Sequence, residues 1–244
     1  MMTLRVLSRL MAYPTTDTVA AIPAMRETLD RDNLLGSERR QGIETVLERL
    51  ETTPLMQLQE EYVALFDRGR FLSLHLFEHV HGESRDRGQA MVELINYYRE
   101  SGLELDAHEL PDFLPLLLEF LSTRDRDEVN AMLNDAMAVI VLLGARLRER
   151  ESDYAELFEA LVEIGGEPAD AEVMREQAAS EGPDEAITKM DEIWEEEQVT
   201  FMANTNPAET GGCPASGGAG AKQEVPIRWM EKPGSSQTND AGRG

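Results

Sequence analysis

The sequence holds a single cysteine, Cys213, in 244 residues. One thiol cannot close an internal disulfide or supply a multi-cysteine zinc or iron–sulfur site, which suits a reducing compartment. Positive charge is also scarce: 23 Lys and Arg stand against 47 Asp and Glu, a net charge of −24. A surface this acidic repels phosphate backbones and anionic headgroups, so neither nucleic acid nor a membrane surface is an expected partner. Long apolar runs are missing. The most apolar stretch, Ala136 to Ala145, is about half of the roughly 20 residues that a membrane-spanning helix needs. The opening residues scatter Arg5 and Arg9 among apolar positions instead of placing them before an unbroken hydrophobic stretch, so they do not read as a secretory signal. Cytoplasm is the expected compartment. The sequence also lacks a Gly-x-Ser-x-Gly element, a glycine-rich phosphate loop in strand or helix context, and a fixed-period repeat, which removes three common routes to an enzyme or a solenoid.

What is present changes character near Met202. Up to that point Leu, Glu, Arg and Met dominate; from Ala203 onward the chain turns to Asn, Pro, Gly, Ser and Thr. Residues 1–202 are therefore read as one domain and 203–244 as a flexible, disordered tail with too little apolar content to offset ordering entropy. The tail is neutral, with Lys222, Arg228, Lys232 and Arg243 balancing Glu209, Glu224, Glu231 and Asp240. Inside it, Val225-Pro226-Ile227-Arg228-Trp229-Met230 is a short apolar motif, either a docking element or a chance cluster. Cys213, between Gly212 and Pro214, reads as an exposed thiol without a role.

The domain has helical periodicity almost throughout. Leu55, Leu58, Tyr62, Leu65 and Phe66 recur every three or four residues, as do Ala90, Met91, Leu94, Ile95 and Tyr98, then Val129, Met132, Leu133, Ala136, Met137, Ile140 and Leu143, and finally Tyr154, Leu157, Phe158, Leu161 and Val162. Pro14, Pro54, Pro168 and Pro183 mark breaks, Ser37 and Ser84 are candidate N-caps, and Gly102 and Gly165 are candidate helix ends. No run alternates like a strand. The expectation is an all-α, single-domain helical bundle of about eight to ten helices. Residues 149–197 carry 18 acidic and three basic residues, net −15, and read either as a solvated face or as a surface that attracts a basic partner.

Two stretches depart from generic helix. Between Glu61 and Gly88 lie three of the four histidines: His75 and His79, spaced to share a helix face, and His81. With Glu78 and Glu83 they raise a metal site, but no known ligand spacing is matched, and packing with local hydrogen bonds accounts for them as well. Ser73 and Ser84 have histidines nearby without the third member a triad needs. Ser84 has a simpler role as a cap, with Arg87 where a capping box has Glu or Gln. The second stretch, Glu109-Leu110-Pro111-Asp112-Phe113-Leu114-Pro115 and the apolar residues to Leu121, reads as a buried central helix with prolines in its approach and first turn. Together with Tyr62, Phe66, Phe71 and Phe77 it is a candidate hydrophobic groove with polar edges, a shape that accepts an amphipathic peptide helix.

These same residues carry a resemblance. Tyr62 to Phe66, then Ser73-Leu74-His75-Leu76-Phe77-Glu78-His79-Val80-His81-Gly82-Glu83-Ser84-Arg85-Asp86-Arg87-Gly88-Gln89-Ala90-Met91, then Glu109-Leu110-Pro111-Asp112 and the helix after it, resemble the NarJ family of assembly chaperones of respiratory nitrate reductase. The match is specific over roughly 61–122. It implies the all-helical TorD-like fold of the wider TorD/DmsD group of redox-enzyme maturation chaperones. It also implies a cytoplasmic, non-catalytic protein without cofactor or metal. Such a protein binds the N-terminal segment of the apo catalytic subunit and keeps it competent for molybdenum cofactor insertion before membrane assembly. Molybdenum cofactor biosynthesis proteins are a further class of partner. That group's Glu-x-Pro-Asp-His-like pattern falls on Glu109, Pro111 and Asp112, with Phe113 in place of the His, so no ligand role of that His transfers. Its Tyr-x-x-Leu-Phe element falls on Tyr62, Leu65 and Phe66. The expected peptide site is then Tyr62, Leu65, Phe66, Leu74, Phe77 and Pro111 as apolar contacts, with Arg68, Arg70, Glu83, Arg85, Glu109 and Asp112 at the rim. Outside this class stand an acidic helical scaffold and a metalloenzyme using His75, His79 and His81.

Overall fold

In the computed structural model, which describes residues 1–82, 84–105 and 109–182, the periodic stripes become helices. There are eleven among the described residues: α1 (Met2–Met11), α2 (Thr16–Ala20), α3 (Ile22–Asp32), α4 (Ser37–Thr52), α5 (Leu55–Phe66), α6 (Leu76–Val80), α7 (Arg85–Glu100), α8 (Leu114–Leu121), α9 (Arg126–Glu149), α10 (Ala155–Gly165) and α11 (Ala171–Ser180). Glu83, His108, Pro183, the boundary at 202, Cys213, the 225–230 motif and the acidic residues beyond 182 lie outside the described residues. The chain is all-α where described; its one β contact is an isolated bridge between His75 and Phe113.

Helix α8 is the centre. Leu114, Leu118, Phe120 and Leu121 have no exposed surface, and a helix that is apolar on nearly all sides must be covered on nearly all sides. One cover is α1, whose Leu4, Leu7, Leu10 and Met11 stripe is buried while Arg5 and Arg9 face outward. The Ser8 hydroxyl donates to the Pro115 carbonyl at 2.6 Å, a carbonyl close to the proline-bearing first turn of α8. The free backbone at the start of α1 is met by Asp32, which accepts from the Thr3 amide at 2.8 Å. The Met1 ammonium donates to the Ser122 carbonyl at 3.1 Å, placing positive charge at the negative end of α8.

Helix α9 is the other axis. Its 24 residues span about 36 Å. Asp125 caps its first turn by accepting from the Glu128 amide at 3.0 Å. Asp127 and Glu128 lie at its start and Arg146 and Arg148 at its end, as the helix dipole favours. Length and composition would let α9 cross a membrane. Its Val129, Leu133, Met137, Ile140, Leu143 and Leu147 stripe is instead buried in the protein core with Leu157, Phe158 and Leu161 of α10. Close approach of the two helices needs Gly144, where a β-carbon would lie 3.0 Å from the Phe158 Cβ.

Four expectations change. Gly36, not Ser37, is the N-cap of α4, and Ser84 sits at the N-cap of α7 without a side-chain capping bond. Gly165 is still helical and the left-handed stop is Gly166, with φ 93°. Helix number exceeds eight to ten because α2 and α6 are five residues each, too short for a periodic signal to register.

Candidate functional site

The two unusual stretches of the sequence meet in space. Asp112, with no exposed surface, accepts from the Phe77 amide at 3.0 Å through Oδ2 and faces the His75 ring nitrogen Nδ1 at 3.2 Å through Oδ1. The Leu76 amide donates to the Asp112 carbonyl at 3.1 Å, and the Leu114 amide to the Leu74 carbonyl at 2.8 Å. The Asp112 carboxylate thus takes one of the orphan donors of the short helix α6, while its backbone joins residues 74–76 to the entry of α8. The Tyr98 hydroxyl, buried under Phe120, donates to the Pro111 carbonyl at 2.9 Å and brings α7 to the same point. Asp112 raises the His75 pKa above its ordinary value, burial opposing it.

Beside this junction runs an open groove of about 540 Å³ between α1, α3 and the start of α8. Val6, Ala24, Met25, Phe113 and Leu116 are among its apolar lining, and Arg5, Arg9, Glu109 and Glu119 supply its charges. Arg5 and Glu119 pair at 3.3 Å. A smaller cavity of about 390 Å³ lies on the other side of Glu109, lined by Ile95, Leu103, Leu105, Leu110 and Pro111. Glu109, itself exposed, is common to both. An apolar floor with a mixed-charge rim can bind one face of an amphipathic helix; the volume holds several side chains, not a whole helix.

The expected site residues separate into groups. Glu109 lies at the groove edge, and Pro111 and Asp112 lie behind it, buried. Asp112 is therefore not a rim residue; it holds the rim's support. Tyr62 and Phe66 are buried in α5, where Tyr62 donates to the Met11 carbonyl at 3.1 Å and both rings pack against Tyr154. Leu65 is half-buried beside them. Leu74 is core, while Phe77 is half-buried with its ring against His81. Arg68, Arg70 and Arg85 are exposed, and Glu83 lies outside the described residues.

The groove's other wall, Met2, Val6 and Arg9 of α1 with Ala21, Ala24 and Met25, was not among the expected residues. The spacing of Met2, Val6 and Arg9 on one helical face is the signal that could have pointed to it.

His75 and His79 do not share a helix face, because His75 precedes α6 as its N-cap. His79 Nε2 donates to the Ser73 carbonyl at 2.8 Å, and burial lowers its pKa. Among the described residues no three His, Cys, Asp or Glu side chains come together to hold a metal ion. The acidic stretch from 149 is also less free than its composition suggests. Asp153 pairs with Arg49 at 2.9 Å, Glu156 with Arg39 at 3.2 Å and Glu159 with Arg148 at 3.1 Å, while Glu163 accepts from the Gly36 amide at 2.6 Å.

Comparison with known proteins adds to this geometry. Residues 32–160 match the family model described as nitrate reductase delta subunit. Over 204 residues, 84% of this chain and 86% of the relative, the sequence is 42% identical to the nitrate reductase molybdenum cofactor assembly chaperone NarJ of Escherichia coli (strain K12). It is 45% identical over 159 residues, 65% of this chain and 69% of the relative, to NarW of the same strain, named a probable nitrate reductase molybdenum cofactor assembly chaperone. With the protein of that designation from Bacillus subtilis (strain 168), NarJ, it shares 31% identity over 163 residues, 66% of this chain and 86% of the relative.

Proposed function

The chain belongs to the nitrate reductase delta subunit family, and on that premise we propose that it is a system-specific assembly chaperone of respiratory nitrate reductase, cytoplasmic and non-catalytic. Its client is the apo catalytic subunit, bound at its N-terminal segment and kept open for molybdenum cofactor insertion before it meets its membrane partner. The observation that carries the binding mode is the groove between α1, α3 and α8, set against the junction that Asp112 holds together. A helical client segment lays its apolar face on Val6, Met25, Phe113 and Leu116. Arg9 and Glu109 at the two edges select its register.

Affinity in such a site comes from a few desolvated apolar anchors, and rim charges set orientation and encounter rate. Alanines at 12, 21 and 24 leave room for bulky client side chains, and Met2 and Met25 adapt to their shape. The net charge of −24 favours a basic client segment. A purely acidic docking scaffold is the weaker reading, because Asp153, Glu156, Glu159 and Glu163 are engaged within the fold.

The test is isothermal titration of the full chain with a peptide of about fifteen residues, long enough for four helical turns, from the N-terminus of the nitrate reductase catalytic subunit of the same organism. Saturable one-to-one binding of this peptide, with none for a scrambled version, is the expected result. A folded protein that binds neither peptide would overturn the client reading.

A further inference from the structure

Two charged side chains are buried among the described residues, Asp112 and Arg146. Burying a guanidinium is costly unless its donors are matched, and Arg146 of α9 finds acceptors for all three of its nitrogens. Its Nε and Nη2 donate to the two carboxylate oxygens of Glu181, each at 2.6 Å. Its Nη1 donates to the Phe71 carbonyl at 2.7 Å. The guanidinium also lies over the Phe71 ring, 4.6 Å from its centre. Glu181 orients the fork, and the fork grips both the backbone and the side chain of one loop residue.

That loop leads to the groove. From Phe71 the chain runs through Ser73, whose carbonyl is held by His79, and Leu74, whose carbonyl accepts from the Leu114 amide. It then reaches His75, bridged to Phe113. Phe113 lines the groove. The two buried charges therefore hold residues 71–77 from opposite ends, Arg146 at Phe71 and Asp112 at His75 and Phe77. Of the two charges, only Asp112 lies within the stretches that stand out in the sequence.

We propose that Arg146 is a positioning residue for client binding: clamped by Glu181, it fixes Phe71 and so sets the path of residues 71–75 that supports the Phe113 wall of the groove. The proposal rests on the client reading above. Arg146 touches neither groove nor client; it acts through the loop. Glu181, the C-cap of α11, serves as its orienting partner.

The experiment compares the full wild-type chain with Arg146→Met, which keeps most of the volume and loses every donor, and with Glu181→Gln, which keeps the guanidinium but weakens its clamp. Each is titrated with the fifteen-residue client peptide, and amide exchange is followed at Leu76 and Leu114, with Leu133 and Ile140 of α9 as references. Expected for Arg146→Met is about a tenfold loss of peptide affinity with faster exchange at Leu76 and Leu114 and unchanged exchange at Leu133 and Ile140. Glu181→Gln should move in the same direction by less, which keeps the test valid should the methionine variant fold poorly. A merely structural role would speed exchange at all four amides together and lower affinity only through the folded fraction. That pattern, or wild-type affinity in both variants, overturns the proposal. Absence of binding by the wild-type chain removes the client reading itself and this inference with it, a different outcome from binding that the variants leave intact.

Discussion

The Asp112 carboxylate and the His75 imidazole face each other at 3.2 Å, the first with no exposed side-chain surface and the second a quarter exposed. The same carboxylate also takes the Phe77 amide, so its removal leaves two donors without a partner. Asp112→Ala is expected to cost about 3 kcal/mol and Asp112→Asn less, since an amide oxygen still accepts one of them. Urea unfolding followed by circular dichroism measures both; equal midpoints for the alanine variant and the wild type would remove the junction as a source of stability.

The same pair gives a pH dependence with a defined sign. His75 titrates above its ordinary value of 6.5 because Asp112 favours its charged form. Its contribution is therefore complete below pH 6.5 and is lost as the pH rises through the raised folded value. His79 works in the opposite sense, since burial lowers its pKa and protonation below 6.5 destabilises the fold. The informative quantity is the stability difference between wild type and His75→Gln, which should be largest below pH 6.5 and shrink above it. A difference that grows with pH would contradict this assignment.

Two glycines predict opposite outcomes for one substitution. At Gly144 an added methyl meets the Phe158 Cβ at 3.0 Å, and overpacking of about 1–3 kcal/mol outweighs the roughly 1 kcal/mol that Ala gains over Gly within a helix. Gly144→Ala should lower the urea midpoint. Gly88 lies inside α7 with open space around the same position, so Gly88→Ala should raise stability by about 0.5–1 kcal/mol.

Filling the groove should separate binding from folding. Ala24 is exposed on α3 and lines the groove, so Ala24→Trp is expected to reduce client-peptide affinity at least about tenfold with an unchanged thermal midpoint. Full affinity in this variant would place the client elsewhere on the surface.

Electrostatic attraction should show in the rates. With a net charge of −24 and a basic client segment, raising the salt concentration should slow association much more than it alters dissociation. Stopped-flow mixing at two ionic strengths reads both rates; equal association rates would exclude steering while leaving the groove in place.

The helices were legible because apolar spacing directly states which face must be buried. The stripe from Val129 to Leu143 and the run from Leu114 to Leu121 are core as expected apart from half-covered Met132, Ala136 and Leu116 and the exposed Glu119. The stripe on α7 is an instructive exception, since only Tyr98 is fully buried and Met91, Leu94 and Ile95 stay half-covered. Spacing reports which face is apolar, not how much protein is there to cover it. The junction was half legible: both stretches stood out by composition, but the Asp112 contacts bridge 35 and 37 residues, which no local pattern encodes. His75 falls outside the helix on which its spacing to His79 places it, for the related reason that a five-residue helix has no period to betray its start. Tyr62 and Phe66 carry a family-like motif, yet their rings are buried and pack on each other with Tyr154 beside them, so the motif marks an aromatic piece of the core. Arg146 gave no signal at all, being one arginine among several near the end of a long helix.

The contact between Ser8 and Pro115, 107 residues apart, has a consequence for how the protein is born. A ribosome adds about 5–20 residues per second, so the side of α1 that α8 covers waits about 5–20 seconds for α8 to be made. In that interval α1 has α3 to pack on but the side that α8 will cover stays open, an amphipathic helix of the kind that the finished groove is proposed to shelter in its client.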